Sequence, residues 1–420
     1  MTPAPLGEHL TRRFHTASAI SSRSRTTGMG YLTTHGNGNT PPDALYSYAV
    51  AMTGHLHSRL AVLLLPIAFL ACGGPRQIDD VPIDLGRATA AISIVPTVDE
   101  GYFVPTQSVP ARVLKLGSDR KLKWSFAVPF DPDVSVTISM VTPLRDGGAL
   151  VCGGRRAGLP ERRMLPGFLM RLDRDGKEVE RLDPMDSRYS GKAFYNAMTC
   201  ATWGDGYVMS TQESPDGSTA AFDRYDNSDV FVRRLTAEFS TIWETPLAVG
   251  GSIFPTPMAP KETPSGDLVF PGIGNIFVVD GSGKVKAHAD MGDCRWIRTS
   301  AGNQSLMFGC VDGAEHPTPS VVEYDNSLNI TNRVSLAEAV GSPLIAKLGD
   351  ASYLMFGRGT NGAGVNSVHY DAAGRVLSRH KDADGFLGDV TVSSDGSAAI
   401  LVKTVDINGL FAPATSIVRP

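Results

Sequence analysis

Phe168-Leu-Met-Arg-Leu-Asp-Arg-Asp-Gly-Lys-Glu-Val179 runs an apolar strand into a polar turn and out again into a second strand. Asp and Gly recur at such turns because a tight hairpin needs a side chain that bonds its own backbone and a residue that tolerates positive φ. The same pattern returns in Ile276-Phe-Val-Val-Asp-Gly-Ser-Gly-Lys-Val285, Val321-Val-Glu-Tyr-Asp-Asn-Ser327 and Val368-His-Tyr-Asp-Ala-Ala-Gly-Arg-Val376. Arg112-Val-Leu-Lys-Leu-Gly-Ser-Asp119 and Val230-Phe-Val-Arg-Arg-Leu-Thr-Ala237 fit it more loosely. The Asp residues are turn formers before they are candidates for chemistry.

A shorter signature precedes each hairpin, an apolar strand leaving a Gly- or polar-rich turn. It occurs at Gly101–Val104, Gly148–Val151, Gly206–Met209, Gly266–Phe270, Ser305–Phe308, Ser352–Phe356 and Ser397–Val402. The spacing, roughly 40–60 residues, is that of propeller blades. Between copies, Val134-Ser-Val-Thr-Ile-Ser-Met140 alternates as a half-buried strand does. The best helical candidate, Val334–Val340, is at most two turns long. These features predict an all-β chain, a β-propeller of seven four-stranded blades, with six or eight also compatible. The last unit stops near Pro420, where its outer strand should begin, so an N-terminal segment is expected to complete it, either Gln77–Leu85 or Ile92–Val95.

Composition narrows the partner classes. The 420 residues carry 39 Lys+Arg against 43 Asp+Glu, a net charge of -4, so no basic surplus exists to condense onto nucleic acid. A mean hydropathy of -0.06 and one short apolar run exclude a polytopic membrane protein. That run, Leu60–Ala71, is too short to span a bilayer and reads as the apolar region of a signal peptide. Leu70-Ala-Cys72-Gly-Gly74 follows it and resembles a bacterial lipoprotein signal, with cleavage before Cys72 and a lipid on its sulfur; Phe69 stands where Leu is usual. The expected organisation is an over-called start or disordered leader at 1–51, a signal peptide at 52–71, a lipidated Cys72 with its tether at 72–85, and the propeller at 86–420. Met52 is the expected translation start.

Four other cysteines remain for an oxidising compartment. Cys294 and Cys310 flank a strand-turn-strand reading centred on Gly302, which favours a cross-strand disulfide. Cys152 with Cys200 follows by elimination, provided their strands are neighbours.

The hairpin signature resembles the propeller repeats of pyrroloquinoline-quinone enzymes, WD40-like repeats, and cofactor-free relatives among bacterial lipoproteins. In those quinone-type repeats a polar turn plus Gly leads to a Trp that packs between blades; Leu122-Lys-Trp124 and Thr241-Ile-Trp243 have that Trp, and the other repeats do not. The resemblance spans about residues 100–420. It implies the fold more firmly than any activity.

Catalytic constellations are sparse. His288, His316, His369 and His380 form no HxH or HExxH pattern, and no GxSxG elbow, P-loop or helix-opening GxGxxG occurs. Gly357-Arg-Gly-Thr-Asn-Gly362 lies between strands and reads as a hairpin loop. The repeats lack the ring-facing polar set that a quinone cofactor needs, so no cofactor is expected. Asp223, Asp226 and Asp229 supply hard oxygens of the type calcium takes, without EF-hand spacing, and an exposed polar loop is the preferred reading. Arg155, Arg156, Arg162 and Arg163 crowd one loop and offer bidentate pairing to an acidic partner or anionic headgroups. Trp203, Trp296, Tyr195 and Tyr225 are candidate aromatic anchors, or blade-packing residues. The expectation is a monomeric, non-catalytic, lipid-anchored envelope propeller, at the outer membrane, that binds protein or glycan partners. The rival is a propeller enzyme, such as a lyase, lactonase or quinoprotein, working in the central funnel.

Overall fold

A computed structural model describes residues 79–83, 89–129, 133–157, 164–182, 196–213, 229–248, 260–271, 274–292, 294–296, 298–299, 306–312, 318–325, 327–338, 341–358, 364–383, 385–407 and 410–420. Every regular element among them is a strand, and no helix among the described residues is long and apolar enough to cross a membrane.

The strands build antiparallel meanders. The first sheet holds Ala90–Ala91 and Val95–Pro96 on one flank, then Tyr102–Gln107, Arg112–Leu116 and Leu122–Ala127. An eight-stranded sheet contains two meanders, Val134–Pro143 through Glu178–Leu182 and Asn196–Trp203 through Thr241–Ala248. A single residue pair, Asn196 opposite Gly154, joins them. Three further sheets run from Lys261–Glu262 to Val285–Gly292, from Cys294–Trp296 to Ile330–Ser335, and from Gly341–Lys347 to Val376–Ala383. The last of these also takes Arg298–Thr299 in parallel against Gly341–Lys347.

The final sheet is completed by the N-terminus. Phe386–Val392, Ala399–Ile407 and Leu410–Val418 are joined by Asp79–Pro82, which pairs antiparallel with Leu410–Val418 from Asp79 opposite Ile417 to Pro82 opposite Ala414. The first of the two expected segments thus closes the ring, and the propeller begins ahead of residue 86. Val95 instead sits in the first sheet, and Ile330–Ser335 is a strand running into the stretch that offered the best helical candidate.

Apolar seams hold neighbouring sheets face to face. Phe103 and Val113 pack with Ile138, Val151 and Phe168. Met140, Leu150 and Cys152 pack with Cys200, Met209 and Leu235 between the two meanders. Ile400 and Val402 of the last sheet pack with Tyr102 and Leu114 of the first, so the circle is closed. This is a β-propeller. Seven separate blades are not what the described residues form: five sheets of four or five strands stand alone beside the eight-stranded one, because the Asn196–Gly154 pair continues hydrogen bonding across one junction.

The turns explain the repeat. Between the third and fourth strands of six meanders the chain makes one five-residue turn, as in Asp173–Lys177, Asp280–Lys284, Asp325–Asn329 and Asp371–Arg375. Its first residue's carbonyl accepts from the fourth residue's N–H, and the fourth residue is left-handed. That residue is Gly176, Gly283 or Gly374 in three copies, but Arg120, Phe239 and Leu328 in the others, which is why the motif looks degenerate in sequence. Each Asp caps its own turn: Asp371 Oδ1 accepts the N–H groups of Ala373 and Arg375 at 3.0 and 2.9 Å.

The two tryptophans singled out in sequence pack between neighbouring meanders. Trp124 Nε1–H donates to Arg174 O at 2.9 Å, and Trp243 Nε1–H to Gly281 O at 3.1 Å, each on the turn of the next meander. A Cβ on Gly176 would lie 2.7 Å from the Trp124 ring, and one on Gly283 would lie 2.8 Å from the Trp243 ring. Glycine is required there twice over, for its φ of 79° or 88° and for the indole above it.

Candidate functional site

Register divides the ring into two unlike faces. At one end of the sheets lie the turns joining strands one to two and three to four, two to nine residues long. The remaining connections lie at the other end and include the three longest, 183–195, 214–228 and 249–259, beside the six-residue 158–163; the structure of all four lies outside the described residues. The short-turn ends of adjacent sheets are stitched together, for example by Gly349 N–H donating to Gly396 O at 2.9 Å.

The described members of both charged clusters singled out in sequence stand at strand ends on the long-connection face, in adjacent meanders. Arg155 and Arg156 end the strand Ala149–Ala157, and Arg162 and Arg163 lie outside the described residues. Arg155 is turned inward: its Nε donates to Pro166 O at 2.7 Å and its Nη2 to Gly167 O at 3.4 Å. Its guanidinium therefore tethers the adjacent strand, whereas Arg156 is exposed. Asp223 and Asp226 lie outside the described residues; Asp229 is buried at the start of Asp229–Leu235. No cluster of three or more metal-ligating side chains occurs among the described residues.

A buried charge missed in sequence lies one turn further along the same strand. Arg233 is 0% exposed; its Nε donates to Glu244 Oε2 at 2.6 Å and its Nη1 to Thr211 Oγ1. The Arg233-Arg234 doublet interrupts an apolar run, Val230-Phe-Val232 before it and Leu235 after it, so a strand signal was present, but nothing local shows which arginine points inward. Register decides it: Arg233 lies opposite Met209 and Glu244, on the face turned to the neighbouring meander. Such a pair fixes geometry more than it adds stability, because the Arg233 charge leaves water to form it while Glu244 stays exposed.

The histidines do not converge. His288 stacks on Phe277 with ring centroids 4.5 Å apart, His369 is buried, His380 is half-buried, and His316 lies outside the described residues. Among the aromatics, Trp203 is buried, donates to Gly266 O at 3.2 Å, and meets Trp243 edge-on at 5.8 Å. It is a packing residue between sheets. Trp296 ends a strand opposite Phe308, and Tyr195 and Tyr225 lie outside the described residues.

Cys294 lies directly opposite Cys310 in the antiparallel register, the placement a cross-strand disulfide needs. Cys152 and Cys200 are different: both are fully buried free thiols, so the bridge expected by elimination is not formed. Their strands are neighbours, as the pairing required, but Cys200 Sγ is engaged with Leu150 O at 3.9 Å inside the apolar seam. Burial, with the adjoining Cys200 thiol, pushes the Cys152 thiol well above its ordinary range, so Cys152 is not a ready nucleophile.

Electrostatics on the short-turn face is self-contained. Asp395 is pulled down to about 2 by the Ser393 hydroxyl and by the Ser397 N–H and hydroxyl. Asp350, Asp280, Asp325 and Asp371 are lowered through their own turns in the same manner, led respectively by the Ser352 hydroxyl, the Ser282 hydroxyl, the Asn329 amide and the Arg375 N–H. These carboxylates complete turns, and their lone pairs are committed there.

No known protein-family model matches the sequence, and no curated protein matches it. Solved structures do. Hydrazine synthase of Kuenenia stuttgartiensis matches with a TM-score of 0.51 at 13% identity, over 81% of this chain and 97% of that one. The Cps50 (Swd1) β-propeller domain of Myceliophteria thermophila matches with a TM-score of 0.51 at 10% identity, over 81% and 100%. The Pan2 WD40 domain of Neurospora crassa gives 0.49 at 11% identity, over 78% and 88%. At such identities the likeness extends to the architecture alone: the chain has the all-β fold of a β-propeller.

Proposed function

We propose that this chain is a lipid-anchored envelope protein whose seven-bladed propeller serves as a non-catalytic platform for a protein or glycan partner. Seven blades follow if the eight-stranded sheet counts as two meanders joined at one residue pair, and seven apolar seams among the described residues agree with that count. The observation that carries the platform reading is the gathering of the three longest connections, 183–195, 214–228 and 249–259, on one face of a closed, stitched ring. Rigid scaffolds place recognition on such loops. The described members of both charged clusters stand at strand ends on that face, with Arg156 exposed. The Cys72 signal supplies the address, and the Cys294–Cys310 register suits an oxidising compartment.

Crosslinked capture from native membranes tests the reading, using the full lipoprotein with a C-terminal tag beside a soluble Cys72→Ala control. A stoichiometric envelope partner that depends on Cys72 supports it. Equal recovery from both forms, or none, removes its support.

A further inference from the structure

We infer that the anchor fixes the orientation of the propeller, holding the short-turn face toward the bilayer and presenting the long-connection face away from it. The inference rests on the lipidation of Cys72 and adds the geometry of the ring. Six residues lie between Cys72 and Asp79, where the closing strand begins, so seven residue steps span the gap. Asp79 lies opposite Ile417, and Ile417 opposite Ile400, the second residue of Ala399–Ile407. That strand leaves the short turn Ser393–Ala398, so Asp79 enters the sheet at the level of the short-turn face. It enters on the outermost strand, which pairs only with Leu410–Val418. The anchor is therefore attached at the outer rim of one particular face.

The tether is too short to reverse this. From the Ile400 level to Ile407 at the other end is about 24 Å at ~3.4 Å per residue. Seven residues have a root-mean-square span of about 15 Å as a flexible chain and reach only about 25 Å when fully extended. With the long-connection face on the lipid, the tether would have to run taut along the whole outer edge, with no slack to enter the headgroups. With the short-turn face down it spans the gap relaxed. Adsorption does not draw this face to anionic headgroups, because its short turns carry Asp99, Asp146 and Asp205 already paired with Lys115, Arg171 and Arg234, beside Asp350 and Asp395. The tether, and not attraction to lipid, sets the orientation.

The test uses the full acylated protein in vesicles of phosphatidylethanolamine and phosphatidylglycerol that carry a headgroup energy acceptor. Donor labels are placed one at a time through Asp205→Cys on a short turn and Asp133→Cys at a connection on the opposite face. Asp205 and Asp133 are both exposed. The expected result is at least about twofold stronger transfer from position 205, given the ~24 Å between faces. A twelve-residue Gly/Ser insertion after Gly74 is expected to collapse that difference. Equal or stronger transfer from position 133 in protein whose Cys72 is acylated by mass spectrometry overturns the orientation alone. An unacylated Cys72 overturns the lipoprotein reading, and the orientation falls with it.

Discussion

Gly176→Ala probes the contact that locks one blade to the next. Gly176 has a φ of 79°, and an L side chain there costs about 1–2 kcal/mol before any contact is made. The new Cβ would also lie 2.7 Å from Cδ2 of Trp124 and 2.8 Å from Cε3, closer than real Cβ atoms approach. The indole must swing out, giving up its 2.9 Å bond to Arg174 O, worth about 1 kcal/mol net, and loosening its packing on Phe103. The total is roughly 2–4 kcal/mol. In a Trp124→Ala background the same change meets no indole, so only the backbone part remains, about 1–2 kcal/mol. Urea unfolding followed by the β-strand circular dichroism band, on wild type, both single variants and the double variant, gives the coupling between the two positions. A coupling near 1–2 kcal/mol is expected. Strict additivity would refute the reasoning, since the ring and the Cβ would then not compete for the same space.

Three further outcomes follow from the same geometry. Glu100→Gly is expected to stabilise by up to about 1 kcal/mol, because the exposed Glu100 holds a φ of 61° at the turn position where other copies carry Gly147, Gly266 and Gly396; a lower melting temperature would contradict this. Asp395, Asp350, Asp371, Asp325 and Asp280 all sit below the ordinary 3.8 in the folded state, so their stabilisation is complete above that value. It is lost as pH falls through the folded values, near 2 for Asp395, and the urea midpoint should drop between about pH 4 and pH 2, more gently in an Asp395→Asn variant. Cys152 and Cys200 should resist a thiol-labelling reagent in the native protein and react only with unfolding; rapid labelling under native conditions would show that the seam between the meanders opens.

The repeat was legible because hairpin chemistry is local. A strand followed by Asp, two polar residues and Gly, as at Asp371–Gly374, announces its own turn, and the missing outer strand of the last unit announced a closing strand from the N-terminus. Copies with Arg120, Phe239 or Leu328 at the left-handed position were harder to read, since there tertiary packing holds a conformation the residue does not favour. What could not be read was which side of a strand meets what. Arg155 turns to backbone carbonyls instead of solvent, and Arg233 sinks into a seam beside Glu244, because inward and outward are set by register with distant strands. Cysteine pairing divided on the same ground: Cys294 and Cys310 share a hairpin, whereas Cys152 and Cys200 meet across a seam, where proximity does not make a bridge.

The platform reading is tested most directly by replacing the connections 158–163 and 214–228 with short Gly/Asn turns in the full lipoprotein and repeating crosslinked capture from native membranes. The account predicts that the strand circular dichroism and Cys72 acylation are retained while the envelope partner is lost. Undiminished capture of the same partner by the replaced form would contradict it, and would move the binding surface off the face where the long connections gather.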